Sequence, residues 1–324
     1  MRGLVMTESI VSSSRLSKTK RNDVLKLIAI ITMLIDHIGY LFFPQIRLFR
    51  TIGRIAFPIF AFQLAVGYKH TSSLPKYSLR LFGFALISYL PYIFFEPTLE
   101  PNPLAFNVMF LLLAGIGAMK LWELSIHAFK QFKINKSLMG LIGGSFFLAV
   151  FIAYILAPQA LSILVRNIDV PLFEGLHSIR VSYGTYGLLL MMMFYWFENQ
   201  AILGFVAFVA ITFSTTYLSG AMYTGSVYNI ADASLRVKSF MDTVIKQPAY
   251  IWENITGYKN GLMTLEGYFF QARAVMGVIL IYLLKNRNFT FRMNKYVAYW
   301  FYPVHMTLLM FIKYGTMHWG WNIF

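Results

Sequence analysis

The chain has 324 residues, of which 58% are hydrophobic, 18% aromatic and only 13% charged. A soluble domain carries about 25% charged and 45–50% apolar residues, so a soluble enzyme, a DNA-binding protein and a disordered scaffold are excluded and a polytopic membrane protein remains. The formal charge is +15, which in such a protein reports positive cytoplasmic loops rather than a nucleic-acid partner, with room for a few arginines that hold an anion.

Residues 1–22 form a basic tail that includes Arg15, Lys18, Lys20 and Arg21. The apolar run behind it lacks a small-residue cleavage site and reads as a retained first helix. Hydropathy places nine spans at about 24–43, 53–68, 78–96, 104–122, 138–157, 183–198, 201–219, 266–284 and 296–315. The segment 158–182 leaves room for a re-entrant piece, so the range is 9–11. The expected fold class is all-α, a polytopic integral membrane helical bundle, with 23–324 as one domain behind the tail. Inner segments hold 17 Lys and Arg against 10 in outer segments when the N-terminus is cytoplasmic, which favours that orientation. The long loop 220–265 then lies outside. Within it, 231–246 places Leu235, Phe240, Met241, Val244 and Ile245 at near-helical spacing, as an interfacial helix or a lid would.

Ionisable groups inside a bilayer cost about 2.5–3.5 kcal/mol each on insertion scales and are functional suspects. Asp36-His37 lies about two-thirds of the way along the first span. Helix neighbours point about 100° apart, so the two need separate partners or a wet cavity. Arg47, Arg50 and Arg54 share one helix face and form a cationic stripe entering the second span. Such guanidinium groups can hold phosphate or carboxylate, snorkel to headgroups, or neutralise Asp36 or Glu96. Asn107, Gln271, Arg273 and His305 add polar groups within later spans, with His305 following Pro303. Tyr183, Tyr186, Tyr299 and Tyr302 read as interfacial belt residues. No metal-ligand spacing is present. With no cysteine in the chain, a cysteine-borne acyl intermediate is excluded. The polar inventory fits a membrane-embedded reaction or a proton-coupled transporter, and composition alone does not separate them.

The stretch IAIITMLIDHIGYLFFP, followed by Arg50-Thr-Ile-Gly53-Arg54-Ile-Ala-Phe57-Pro58, resembles the TraX family. The likeness continues through Gly67, His70-Thr71, Tyr77, Arg80, Pro91 and Asn107-Val108-Met109-Phe110, with weaker echoes at Tyr183-Gly184 and Phe301-Tyr302-Pro303-Val304-His305. Val66 and Tyr89 stand where many members carry an acid, and Ser182 where the family often has Asp. The resemblance implies a transmembrane acetyltransferase of the bacterial inner membrane, related to multi-span acyltransferases. It would take acetyl-CoA as donor and acetylate an amine or hydroxyl on a peptide (such as a pilin N-terminus) or an envelope glycan. It also implies His37 as catalytic residue, with Asp36 beside it, and Arg50 and Arg54 at the donor site. Arg47, Asn107, Tyr183, Arg273 and His305 complete the expected binding set, while Lys69, Lys76 and Arg80 are placed to hold the nucleotide end of the donor. A transporter or flippase, and a non-catalytic pilus or secretion assembly factor, are the alternatives.

Overall fold

A computed structural model describes residues 22–96, 100–171, 173, 175–256 and 268–319. The basic tail up to residue 21 and the loop stretch 257–267, with Lys259, lie outside the described residues.

Each of the nine expected spans contains helix among its described residues. The first, α1 (Asp23–Phe42), starts at Asn22, whose side chain accepts the Leu25 N–H and donates to the Leu284 carbonyl at 2.8 Å. α2 (Arg47–Gly53) and α3 (Ala56–His70) run on from one another across a break at Arg54 and Ile55. α4 (Leu74–Ile87) and α5 (Tyr89–Ile93) share the third span, interrupted at Ser88. α6 (Val108–Asn135) and α7 (Leu138–Leu164) form a long hairpin. α8 (Gly184–Phe197) and α9 (Ala201–Thr224) follow. A 3₁₀ segment, Tyr268–Ala274, leads into α12 (Val275–Leu284), and α13 (Lys295–His318) ends the bundle. Five of these are long and apolar enough to cross a membrane: α1, Arg47–His70, α6, α7 and α9.

α8 is apolar on every face, as a helix enclosed by others must be. Leu190, Met191, Met192, Met193 and Phe194 in it are fully buried. α7 and α9 instead expose Phe146, Ile152, Leu156, Phe205, Val206 and Phe213. Exposed apolar surface on that scale fits contact with lipid rather than water.

Among the described residues between α7 and α8 there is no further helix. α7 continues through Pro158 to Leu164, and short pairings follow. β2 (Ile168–Asp169) pairs antiparallel with β3 (Leu176–His177), and β4 (Arg180–Val181) pairs parallel with β1 (Ala105–Phe106). The second pairing anchors the strand that delivers Ser182 and Tyr183 to the site.

The loop expected from residue 220 begins later, because α9 runs to Thr224. It holds α10 (Ala233–Lys246) and α11 (Pro248–Thr256). Phe240 and Val244 of α10 pack inward, while Val237, Met241 and Ile245 are exposed. Asp232 caps α10, and hydrogen bonds from the Ser234 hydroxyl and the Leu235 N–H hold its carboxyl below the usual carboxylate value. The buried Arg236 ties α10 to the end of α7 through the carbonyls of Ile163 (2.6 Å) and Leu164 (3.0 Å). Carbonyls at a helix C-terminus have no intrahelical partners, and a guanidinium satisfies them.

Candidate functional site

His37 lies fourteen residues into α1, about 21 Å from its start at 1.5 Å per residue. Its Nδ1 is 2.6 Å from Nε2 of His305 on α13, and the two rings are nearly parallel, 11° apart, with centroids 4.9 Å apart. The Nδ1 of His305 is 2.5 Å from the Phe301 carbonyl. A carbonyl can only accept, so His305 Nδ1 carries a proton. In the neutral ring its Nε2 then has the lone pair that accepts from His37 Nδ1–H. His37 Nε2 is left with a lone pair on a ring that lines a cavity of about 300 Å³. One backbone carbonyl thereby sets the tautomer of two histidines, as orienting partners do for catalytic imidazoles.

Asp36 faces away from His37, as the helical geometry requires, and takes the arginines. Its Oδ2 accepts from Arg50 at 2.8 Å and Arg54 at 3.3 Å, while Oδ1 is buried with no partner among the described residues. The approach depends on Gly53: a Cβ there would fall 2.2 Å from the Asp36 Cβ. Arg50 and Arg54 face the cavity, whereas Arg47, at the first turn of α2, is exposed. Arg54 is buried and lies over the rings of Phe270 (4.5 Å) and Tyr183 (5.4 Å). Tyr183 has a left-handed backbone, φ 58°, a conformation costing an L-residue about 1–2 kcal/mol. Its ring is held flat against Phe57 at 3.9 Å. Strain held by packing is a recurring mark of functional positions.

The far wall carries a second charged cluster. Tyr40 donates to Glu96, which also receives Arg180 at 2.9 Å. Arg50 lies over the Tyr40 ring at 4.8 Å, joining the two clusters. Tyr92 and Ser182 share a hydrogen bond of 2.7 Å on the same wall. The cavity thus holds two carboxylates and three arginines, with every carboxylate already in an ion pair.

The expected residues divide. His37, Asp36, Arg50, Arg54 and Tyr183 line the cavity, and His305 backs His37. Asn107 does not line it. It caps α6 by accepting from Met109 N–H and donates to the Ala85 carbonyl at 2.9 Å, so its side chain is occupied structurally. Arg273 sits nearby, donating to the Thr51 hydroxyl at 2.5 Å. Tyr186 and Tyr302 are buried rather than belt residues, because α8 and α13 turn them inward. Tyr40, Tyr92 and Arg180 join the site unexpectedly. Tyr40 had a signal, being one helical turn beyond Asp36. Glu96 and Arg180 meet across 84 residues, and no local pattern announces that pairing.

Comparison with known proteins places this chain in a family. A profile described as TraX protein matches residues 21–313. An "Uncharacterized protein RP591" of Rickettsia prowazekii (strain Madrid E) is 40% identical over 78 residues, which is 24% of this chain and 30% of that relative. No solved structure matches. With the profile match covering nearly the whole helical bundle, the chain belongs to the TraX family.

Proposed function

We propose that the protein is a membrane-embedded acetyltransferase that moves the acetyl group of acetyl-CoA to an amine or hydroxyl. The observation that carries this reading is the carbonyl–His305–His37 chain, which leaves a lone pair on His37 Nε2 at a cavity lined by arginines. His37 takes the acceptor's proton as the acceptor attacks the acetyl carbonyl, a role worth typically 10²–10⁴-fold. Arg50 and Arg54 face the charge that develops on the carbonyl oxygen. Asp36 holds those guanidinium groups in place and does not touch His37.

The donor arrives from the opposite end of the bundle in this reading, which puts the N-terminus in the cytoplasm of a bacterial inner membrane. What supports it is a second cavity of about 350 Å³ that is lined by Lys26, His70 and Arg80 and shares the Phe60 side chain with the first. From Phe60 to His70 is about 15 Å along α3, comparable to the pantetheine arm of CoA. Lys69 is not part of that cavity, since it pairs with the buried Glu198 at 3.0 Å. Arg80 and His70 are the better candidates for the nucleotide phosphates.

Two cavities that share one lining side chain also favour a second reading, a transporter that admits substrate alternately from either end. CoA release from acetyl-CoA by the purified protein in lipid nanodiscs separates them. Wild type is expected to cleave the thioester or transfer acetyl to a supplied acceptor, and His37→Ala to do neither while keeping its fold. Absence of both binding and cleavage in wild type, with substrate-dependent proton flux, would establish the transporter instead.

A further inference from the structure

The largest of the cavities described adjoins the candidate site, with a volume of about 630 Å³. It shares Tyr92, Arg180, Ser182, Tyr183 and Gln271 with the His37 cavity, so whatever fills it abuts the reaction. Its walls come from the end of α7, the strand leading into α8, and the C-terminal half of α9.

The lining is unusual for a membrane bundle. Ser162, Thr215, Thr216 and Ser219 bring hydroxyls, and Gln159 brings an amide. Gln271 adds another amide, whose Oε1 is buried without a partner among the described residues. Tyr186 and Tyr228 contribute rings. Arg166 lies 4.3 Å over the Tyr228 ring, forms no ion pair among the described residues, and has a buried Nε with no hydrogen bond. No carboxylate of the described residues lines this chamber, and Asp36 and Glu96 next door are already bound to arginines.

An ammonium group is recognised by carboxylates or by the faces of aromatic rings, and two arginines repel it. Dense hydroxyls and amides beside flat rings suit a ligand with many hydroxyls and an apolar ring face, which describes a sugar. An unneutralised guanidinium, stacked and pre-oriented, suits an anion. We infer that this chamber binds the acceptor, and that the acceptor is an anionic saccharide acetylated on a hydroxyl rather than a peptide amine. The inference rests on the acetyltransferase reading for its chemistry but not for its binding site. In the reaction the sugar oxygen attacks the acetyl carbonyl and its proton passes to His37 Nε2. The new C–O bond forms as the C–S bond breaks, and the proton held by His37 goes to the departing thiolate. The products are an acetate ester and CoA thiol.

The test uses full-length protein in nanodiscs with three probes: trigalacturonate, the neutral maltotriose, and triglycine with its free amino terminus. Binding is measured first, without donor. Trigalacturonate is expected to bind best, and Arg166→Met to weaken it about tenfold or more, the effect of losing a charge-assisted hydrogen bond. Gln271→Leu is a second variant, expected to weaken both saccharides, with thermal melting checking that each variant is folded. With radiolabelled acetyl-CoA, label is expected on trigalacturonate in a form released by mild alkali, as esters are and amides are not. No saccharide binding, equal binding of all three probes, or alkali-stable label on triglycine overturns the inference. Saccharide binding that depends on Arg166 without any acetyl transfer or CoA release leaves the chamber standing and removes the acetyltransferase reading.

Discussion

Replacing His305 with Phe preserves a flat ring but removes the acceptor 2.6 Å from His37 Nδ1. The Nδ1–H of His37 then has no partner in a buried position, a loss of about 1–3 kcal/mol. The imidazole can escape by moving its proton to Nε2, but that tautomer has no lone pair facing the cavity. Either way the reactive form is disfavoured by that amount, which at 1.36 kcal/mol per factor of ten is about five- to 150-fold in kcat. His37→Ala removes the base itself and is expected to cost about 10²–10⁴-fold. His305→Gln is the informative companion, because its amide oxygen reaches a similar position and can accept from Nδ1–H. The assay is CoA thiol release under saturating acetyl-CoA, with thermal melting to check the fold. The expected order is wild type, then Gln, then Phe, then His37→Ala. A Phe variant as active as wild type would refute the tautomer argument. A Phe variant as inactive as His37→Ala, yet folded, would make His305 the proton acceptor instead.

Asp36→Asn removes the charge that holds Arg50 and the buried Arg54. Breaking a buried ion pair from one side costs about 3–5 kcal/mol, so the melting temperature is expected to fall sharply. An unchanged melt would mean that the arginines find another anion. Gly53→Ala places a methyl against Asp36 and should cost about 1–3 kcal/mol by overpacking, with activity falling as the Asp36–Arg54 contact lengthens. Wild-type activity in this variant would show that the close approach is dispensable. Arg236→Leu strips the cap from the end of α7 and is expected to raise hydrogen exchange across residues 233–256 without touching exchange in α8. Unaltered exchange in α10 would show that Phe240 and Val244 alone dock it.

Much of the architecture is legible in the residues because a bilayer admits few solutions. Backbone groups in hydrocarbon must be satisfied within the segment, so a run of apolar residues is a helix almost by necessity. That is why nine spans could be drawn, and why Asp36, His37 and Arg54 stood out as polar groups needing partners. Asp36 was one of several partners open to the arginines, and the same reasoning did not choose among them or name a partner for His37. His305 was legible as a polar group near the chain's end, yet its distance from His37 depends on α13 packing beside α1. The burial of Tyr186 and Tyr302 follows from which face α8 and α13 turn inward, and the occupied side chain of Asn107 from the start of α6 meeting the end of α4.

Local composition, spacing and an ordered motif suffice for the membrane class, the helical spans, the family, and the reading of His37, Asp36 and the arginines as polar groups that need partners. The tertiary structure alone decided that Asp36 serves the arginines while His37 serves His305, since a helix sends adjacent residues to different neighbours. It also decided that Glu96 and Arg180 close the far wall and that a hydroxyl-rich chamber adjoins the site. Those features join side chains up to 268 residues apart, and only the packing of the bundle brings them within reach.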